Sequence, residues 1–193
     1  MERGVLRMRL TITVMSVVLI LIVACKKQEP KPEFKATTPV REIMGSMVVP
    51  SSEILFNAVS SSITPKGTEE IAPKTDEDWQ EVRNRAVTIL EASDLLLIPG
   101  RRIAGPGKHA KNPSVQLEPE EIERMVSEDW AGWTQMTHDF HDSILPALKA
   151  IDEKNPTALS DSTLAIDKAC ESCHLKFWYP EPKDKGAPPS PKP

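Results

Sequence analysis

Cysteine and histidine are scarce in this chain, with 3 Cys and 4 His among 193 residues. So few cysteines exclude a disulfide framework. They also leave out the second C-x-x-C or H-x-x-x-H half that a structural zinc site normally needs. Runs of alternating apolar and polar residues are lacking too, which sets aside the α/β unit in which a thioredoxin-like thiol pair works. The apolar run Leu10–Val23 is shorter than the roughly 20 residues that comfortably span a bilayer. Paired carboxylates, an activated serine and a glycine-rich phosphate loop are all missing, so nothing points to a hydrolase or a nucleotide enzyme. A formal net charge of −4 offers no basic footprint for nucleic acid.

What is present is short and specific. Cys170-Glu171-Ser172-Cys173-His174 spells C-x-x-C-H, the attachment pattern of a c-type haem. Two thiols three apart on a helix can each add to a vinyl group of the porphyrin, while the next residue's imidazole reaches the iron from one side. At this cysteine and histidine content, chance places the pattern in about one chain in a thousand. One covalent haem c with its iron is therefore expected, with Cys170 and Cys173 as attachment points and His174 as proximal ligand.

Haem is attached to cysteines outside the cytoplasm, and the start of the chain reads as an export signal. Arg3, Arg7 and Arg9 precede the uncharged run, in the order of a secretory n-region and h-region. Its end, Leu21-Ile22-Val23-Ala24-Cys25, resembles a bacterial lipobox, which implies lipidation of Cys25 and a membrane anchor on the periplasmic side. This accounts for all three cysteines. The expected organisation is a signal peptide over 1–24, a polar, proline-containing tether over 25–38, one domain over 39–180, and a disordered Pro- and Lys-rich tail over 181–193.

Within the domain four segments show helical periodicity. The first runs through Ile43, Met44, Met47, Ser51, Ile54, Leu55 and Ala58. The second joins Trp79, Val82, Ala86, Ile89, Leu90, Ser93 and Leu97. The third joins Ile122, Val126, Trp130, Trp133, Thr137, Phe140, Ile144, Ala147 and Ile151. The fourth joins Leu159, Thr163, Ile166, Cys170, Cys173 and Phe177. Thr75 with Asp78, Pro119 with two glutamates, and Asn155-Pro156 mark helix starts. Pro50 and Pro146 fall inside patterns, where each removes a backbone donor and predicts a kink or break.

Four such segments with short connections predict an all-α, antiparallel four-helix bundle. The haem then belongs at the end shared by the start of helix one, the end of helix two, the start of helix three and the end of helix four. Its walls should include Met44, Met47, Leu90, Leu97, Ile122, Val126, Trp130 and Trp133, with Trp133 counted among the cofactor contacts. The loop Pro99–Glu118 lies at that end and carries Arg101, Arg102, Lys108 and Lys111. Its length points to a functional or mobile segment, and Arg101 or Arg102 is expected to pair with a haem propionate. His138 and His141 sit too far along helix three, and His109 lies in the loop, so all three are weak ligand candidates.

A C-terminal C-x-x-C-H on the last helix, with the residue opposite supplied by helix one, resembles class II cytochromes c, the cytochrome c′ family, over about residues 39–180. The match at Arg41-Glu42-Ile43-Met44 is weaker. Pro50, the long loop after helix two and the lipid anchor depart from the better-known members. Met44 and Met47 both fall on the core face by periodicity. The resemblance favours Met44 as sixth ligand, with Met47 or an open site as alternatives. A methionine on the iron implies a low-spin electron carrier, whereas an open site implies a gas-binding sensor or scavenger. A haem-bearing accessory subunit of a larger redox complex is a third alternative. The main expectation is a lipid-anchored, one-electron carrier that is not an enzyme and works with a redox partner protein; a homodimer is left open.

Overall fold

The computed structural model describes residues 34–65 and 67–180. The expected signal peptide, Cys25, the tether up to residue 33 and the tail from 181 lie outside the described residues. Among the described residues no helix is long and apolar enough to cross a membrane.

The first helical limb joins α1 (Val40–Ile43), a π-helical turn π1 (Met44–Val48) and α2 (Val49–Asn57). Backbone angles at the junctions are all right-handed helical, so the limb runs through Pro50 without a break. The proline acts upstream. Its missing N–H and its ring disturb the turn before it, and the chain widens there into a π turn, which re-routes the hydrogen bonding.

The second limb, α3 (Asp76–Leu95), opens on a reciprocal capping box between Thr75 and Asp78. Three acidic residues in its first turn suit the positive end of the helix dipole. The third limb is divided where a single helix was expected. α4 (Pro119–Glu128) stops at Asp129, whose backbone leaves the helical region at φ −129° and ψ 57°, and α5 (Trp130–Asp152) restarts with Asp129 accepting from the Gly132 N–H at 2.9 Å. Pro146, in contrast, sits inside α5 without breaking it. It and Asp142, four residues earlier, are both exposed, so water can serve the carbonyl that loses its donor. The fourth limb, α6 (Pro156–Phe177), starts from the Asn155 cap.

One element was not expected. Between the first two limbs, β1 (Ser60–Thr64) and β2 (Gly67–Ile71) form an antiparallel hairpin in the register Ser60↔Ile71 to Thr64↔Gly67. Gly67 takes φ +125° at its turn, a conformation open to glycine alone. Ile63 on β1 is 92% exposed. None of the hairpin side chains described is buried, so no apolar alternation announced it.

All four limbs contribute to one core, with Leu55, Ala86, Ile89, Ile144, Ala147, Leu159 and Ile166 fully buried. α5 packs extensively on α3 and α6, while α2 leans on α3 and meets α6 sparsely. Bonds at the two ends fix the alternation. At one end, Val40 N–H donates to Arg102 O (2.9 Å) and Arg41 N–H to Ile103 O (3.0 Å), Trp133 Nε1–H donates to Leu96 O (3.1 Å), and Leu117 N–H donates to Trp178 O (2.9 Å). At the other, Arg83 pairs with Asp152 and Lys154 with Asp76. The start of the first limb, end of the second, start of the third and end of the fourth thus meet. The segment 96–118 is a strap across that end, supplying the carbonyls that the first N–H groups of α1 need.

Candidate functional site

Cys170, Cys173 and His174 stand near the end of α6, at the strapped end. Both cysteines are half-buried free thiols. Burial, reinforced by the Asp167 charge, pushes the Cys170 thiol up to about 12, and burial pushes Cys173 up to about 11. Burial also lowers the His174 imidazole below its ordinary value, against a weaker opposing pull from the Glu171 charge. At neutral pH the trio is two neutral thiols and a neutral imidazole. Such thiols are poor nucleophiles and poor thiolate ligands. Among the described residues, no group of three or more His, Cys, Asp or Glu could hold a metal ion.

Two cavities meet at this trio and share Met44, Val49, Cys173 and His174. The first, ≈ 290 Å³, runs between α2 and α6. Its lining is mostly apolar and includes Val48, Phe56, Leu96, Met136, Phe140 and Cys170, with Ser52 inside it and Glu53 and Asp167 among its few charged residues. Ser52 Oγ is buried and has no hydrogen-bond partner among the described residues. The second, ≈ 420 Å³, lies toward the strap and is lined by Val40, Arg41, Gly45, Lys111, Gln116, Trp133, Trp178 and Tyr179. Volumes of this size are those of small-molecule and cofactor sites.

The walls are held by specific contacts. Trp133, 3% exposed, meets Phe177 edge to face at 5.4 Å between ring centroids. Trp178 and Tyr179 fold back over α6, both donating their backbone N–H to His174 O, and their rings lie 6.3 and 5.8 Å from the His174 ring. Tyr179 Oη donates to Glu171 Oε2 at 2.7 Å. Asp129, which restarts α5, also pairs with Lys176 of α6 at 2.5 Å.

The structure therefore brings Cys170, Cys173, His174, Met44 and Trp133 together. Met47 packs against the core and lines neither cavity. The two arginines expected at a propionate also line neither. Arg101 donates through Nε to Leu95 O (2.7 Å) and through Nη1 to Thr38 O. The reason is local: carbonyls at the end of α3 lack helical partners, and the nearest guanidinium serves one of them. Arg102 pairs with Glu123 at 2.7 Å, and the same carboxylate takes the Ile103 N–H. His109, His138 and His141 line neither cavity, nor do Leu90, Leu97, Ile122, Val126 and Trp130. In their place stand Phe140, which is on the third stripe, and Val48, Ser52, Phe56 and Met136, which are on none of the stripes read from the sequence. Val48, Ser52 and Phe56 continue from Met44 at intervals of four, and Met136 and Phe140 follow Trp133 at three and seven.

No protein-family model and no curated protein matches the chain. Two solved structures are similar: nitric oxide complexes of two mutants of cytochrome c prime from Alcaligenes xylosoxidans. They are 17% and 15% identical to this chain, with a TM-score of 0.44 for each. They cover 75% of this chain and 99% and 98% of their own length. Likeness at that level transfers no function, so the site is read from its own residues.

Proposed function

We propose that the chain is a monohaem c-type cytochrome, a four-helix bundle that carries single electrons and is held on the periplasmic face of a membrane through lipid on Cys25. The observation that carries this reading is the meeting of Cys170, Cys173 and His174 on one largely apolar cavity whose opposite wall presents Met44. The donor set fits the group: two free thiols can each add S–H across a vinyl double bond, and an imidazole kept neutral by burial presents a lone pair. When bound, the haem supplies reversible one-electron chemistry at its iron.

The chain's own residues set the conditions for that chemistry. Cys170 and Cys173 fix the group to the last turns of α6 through two sulfurs. His174 would hold the iron through its imidazole, and the ordered Trp178–Tyr179 fold-back limits the positions its ring can take. Met44 would supply the thioether on the other side of the group, a ligand type that favours the reduced state and changes little on electron exchange. Val48, Phe56 and Phe140 exclude water from the opposite side, which limits solvent reorganisation. A carrier of this kind would exchange its electron with a redox partner protein.

The absorption spectrum of the purified holoprotein in both oxidation states tests the reading. A ferric protein with the weak red charge-transfer band of methionine-ligated haem, lost in Met44→Ala, supports it. A high-spin ferric spectrum removes Met44 from the iron and favours the second reading, a gas-binding protein, whose supporting observation is the apolar lining that continues past Met44 to Phe56 and Phe140. The anchor has its own check: a Cys25→Ser form should be released from membranes, and tight retention refutes lipidation there.

A further inference from the structure

Cavity charge is divided unevenly around the trio. The first cavity, lined by Cys170, has Glu53 and Asp167 as its charged residues. The second, which Cys170 does not reach, has Arg41 and Lys111. A haem carries its two vinyl groups and its two carboxylates on opposite edges. Attachment at Cys170 would turn the vinyl edge toward the first cavity and so leave the carboxylate edge toward the second. Coulomb's law gives the same orientation, because carboxylates beside Glu53 and Asp167 repel and those beside Arg41 and Lys111 attract. Two independent features, thiol position and charge, agree.

Given the haem reading proposed above, we propose that Lys111 is the cation that pairs with a haem carboxylate, at the strap side of the second cavity. The strap is built to hold it there. Arg41 Nη1 donates to His109 O at 2.6 Å, drawing the strap onto the first limb. The residues on either side of Lys111 are fixed: Ala110 N–H donates to Glu118 Oε2 (3.2 Å), and Asn112 N–H donates to Gln116 Oε1 (3.4 Å). Gln116 N–H donates in turn to Asn112 O at 2.8 Å. Lys111 itself has no ion pair or hydrogen bond among the described residues, unlike Arg101 and Arg102, whose donors are engaged within the protein. An exposed, uncommitted ammonium on an ordered strap at a cavity mouth is free to pair with an incoming carboxylate.

The test compares holoproteins of Lys111→Ala, Lys111→Arg and Lys108→Ala, after intact mass has established covalent haem. Lys108 has the same charge on the same strap but lines neither cavity. The readouts are the reduction potential and the propionate-bending band in the resonance Raman spectrum. Lys111→Ala should move the potential to more negative values and shift the band, Lys111→Arg should restore both, and Lys108→Ala should leave both in place. Either readout unmoved in Lys111→Ala, no restoration by arginine, or an equal effect of Lys108→Ala overturns the assignment. A chain that carries no haem overturns the cytochrome reading and this pairing together; a haem-bearing chain with unmoved readouts overturns the pairing alone.

Discussion

Trp133→Phe removes one atom group whose energetic worth can be worked out from its surroundings. Trp133 is 3% exposed, its Nε1–H donates to Leu96 O at 3.1 Å, and its ring stands edge to face with Phe177. Phenylalanine keeps a ring against Phe177 but withdraws the donor, leaving a buried carbonyl at the end of α3 without it. An orphaned buried acceptor costs about 1–3 kcal/mol. Trp133→Leu forfeits the ring pair as well, which adds about 0.5–1.5 kcal/mol. For a domain of this size a 2 kcal/mol loss lowers Tm by roughly 4–8 °C. Guanidinium titrations of the two variants should show lower midpoints at unchanged slope, with leucine below phenylalanine. A Trp133→Phe midpoint indistinguishable from wild type refutes the hydrogen bond's role, and equal midpoints for the two variants refute the ring pair.

Gly132 faces the Asp129–Lys176 pair so closely that a Cβ there would collide with both charged groups. Gly132→Ala should therefore break that pair and loosen the α4–α5 junction, seen as faster amide exchange around Asp129; unchanged exchange counts against the close approach. Ser52 Oγ is buried without a partner, so Ser52→Ala in haem-free protein should raise stability by about 1 kcal/mol, and a lower urea midpoint would refute this. Asp129 is held below its ordinary 3.8 by the Lys176 hydrogen bond first and by the Gly132 N–H second, and Asp78 below 3.8 by backbone N–H bonds from Thr75 and Lys74. Because folding depresses these values, the associated stability is present above pH 3.8 and is lost as pH falls through the folded values. Asp129→Asn should flatten that acid limb of the stability profile, and an unchanged limb would show that the pair does not contribute.

The helices announced themselves where a buried stripe coincided with a cap. Thr75 with Asp78, Pro119 and Asn155-Pro156 mark starts that the structure places at α3, α4 and α6. The division at Asp129 did not show, because Ile122, Val126, Trp130 and Trp133 keep helical spacing straight across it. Only Asp129, an N-cap residue type followed three residues later by Gly132, carried the signal. The hairpin was silent for the opposite reason: an exposed ribbon needs no apolar period. In the candidate site, the motif and the shared end were legible because covalent spacing and topology fix them. The fate of each arginine was not, since it depends on which orphan carbonyl or carboxylate lies nearest, and Arg101 and Arg102 are engaged by Leu95, Thr38 and Glu123.

Pro50 ties these observations to the choice between the two methionines. On a regular helix, Met44 and Met47 lie three residues apart on one face, and no periodicity separates them. The π turn begins at Met44 and ends at Val48, two residues before the proline. A π turn, with more residues per turn than an α-helix, sets residues three apart at a wider angle. Both methionines pack against the core, but Met44 looks onto both cavities beside His174 while Met47 lines neither. The residue that reads in the sequence as a helix breaker therefore leaves the limb intact, and the π turn ahead of it presents one thioether rather than two to the proposed haem. Straightening the turn with Pro50→Ala would return the methionines to equivalent positions, so which thioether is offered to the proposed haem would follow from backbone hydrogen bonding as much as from the sequence of side chains.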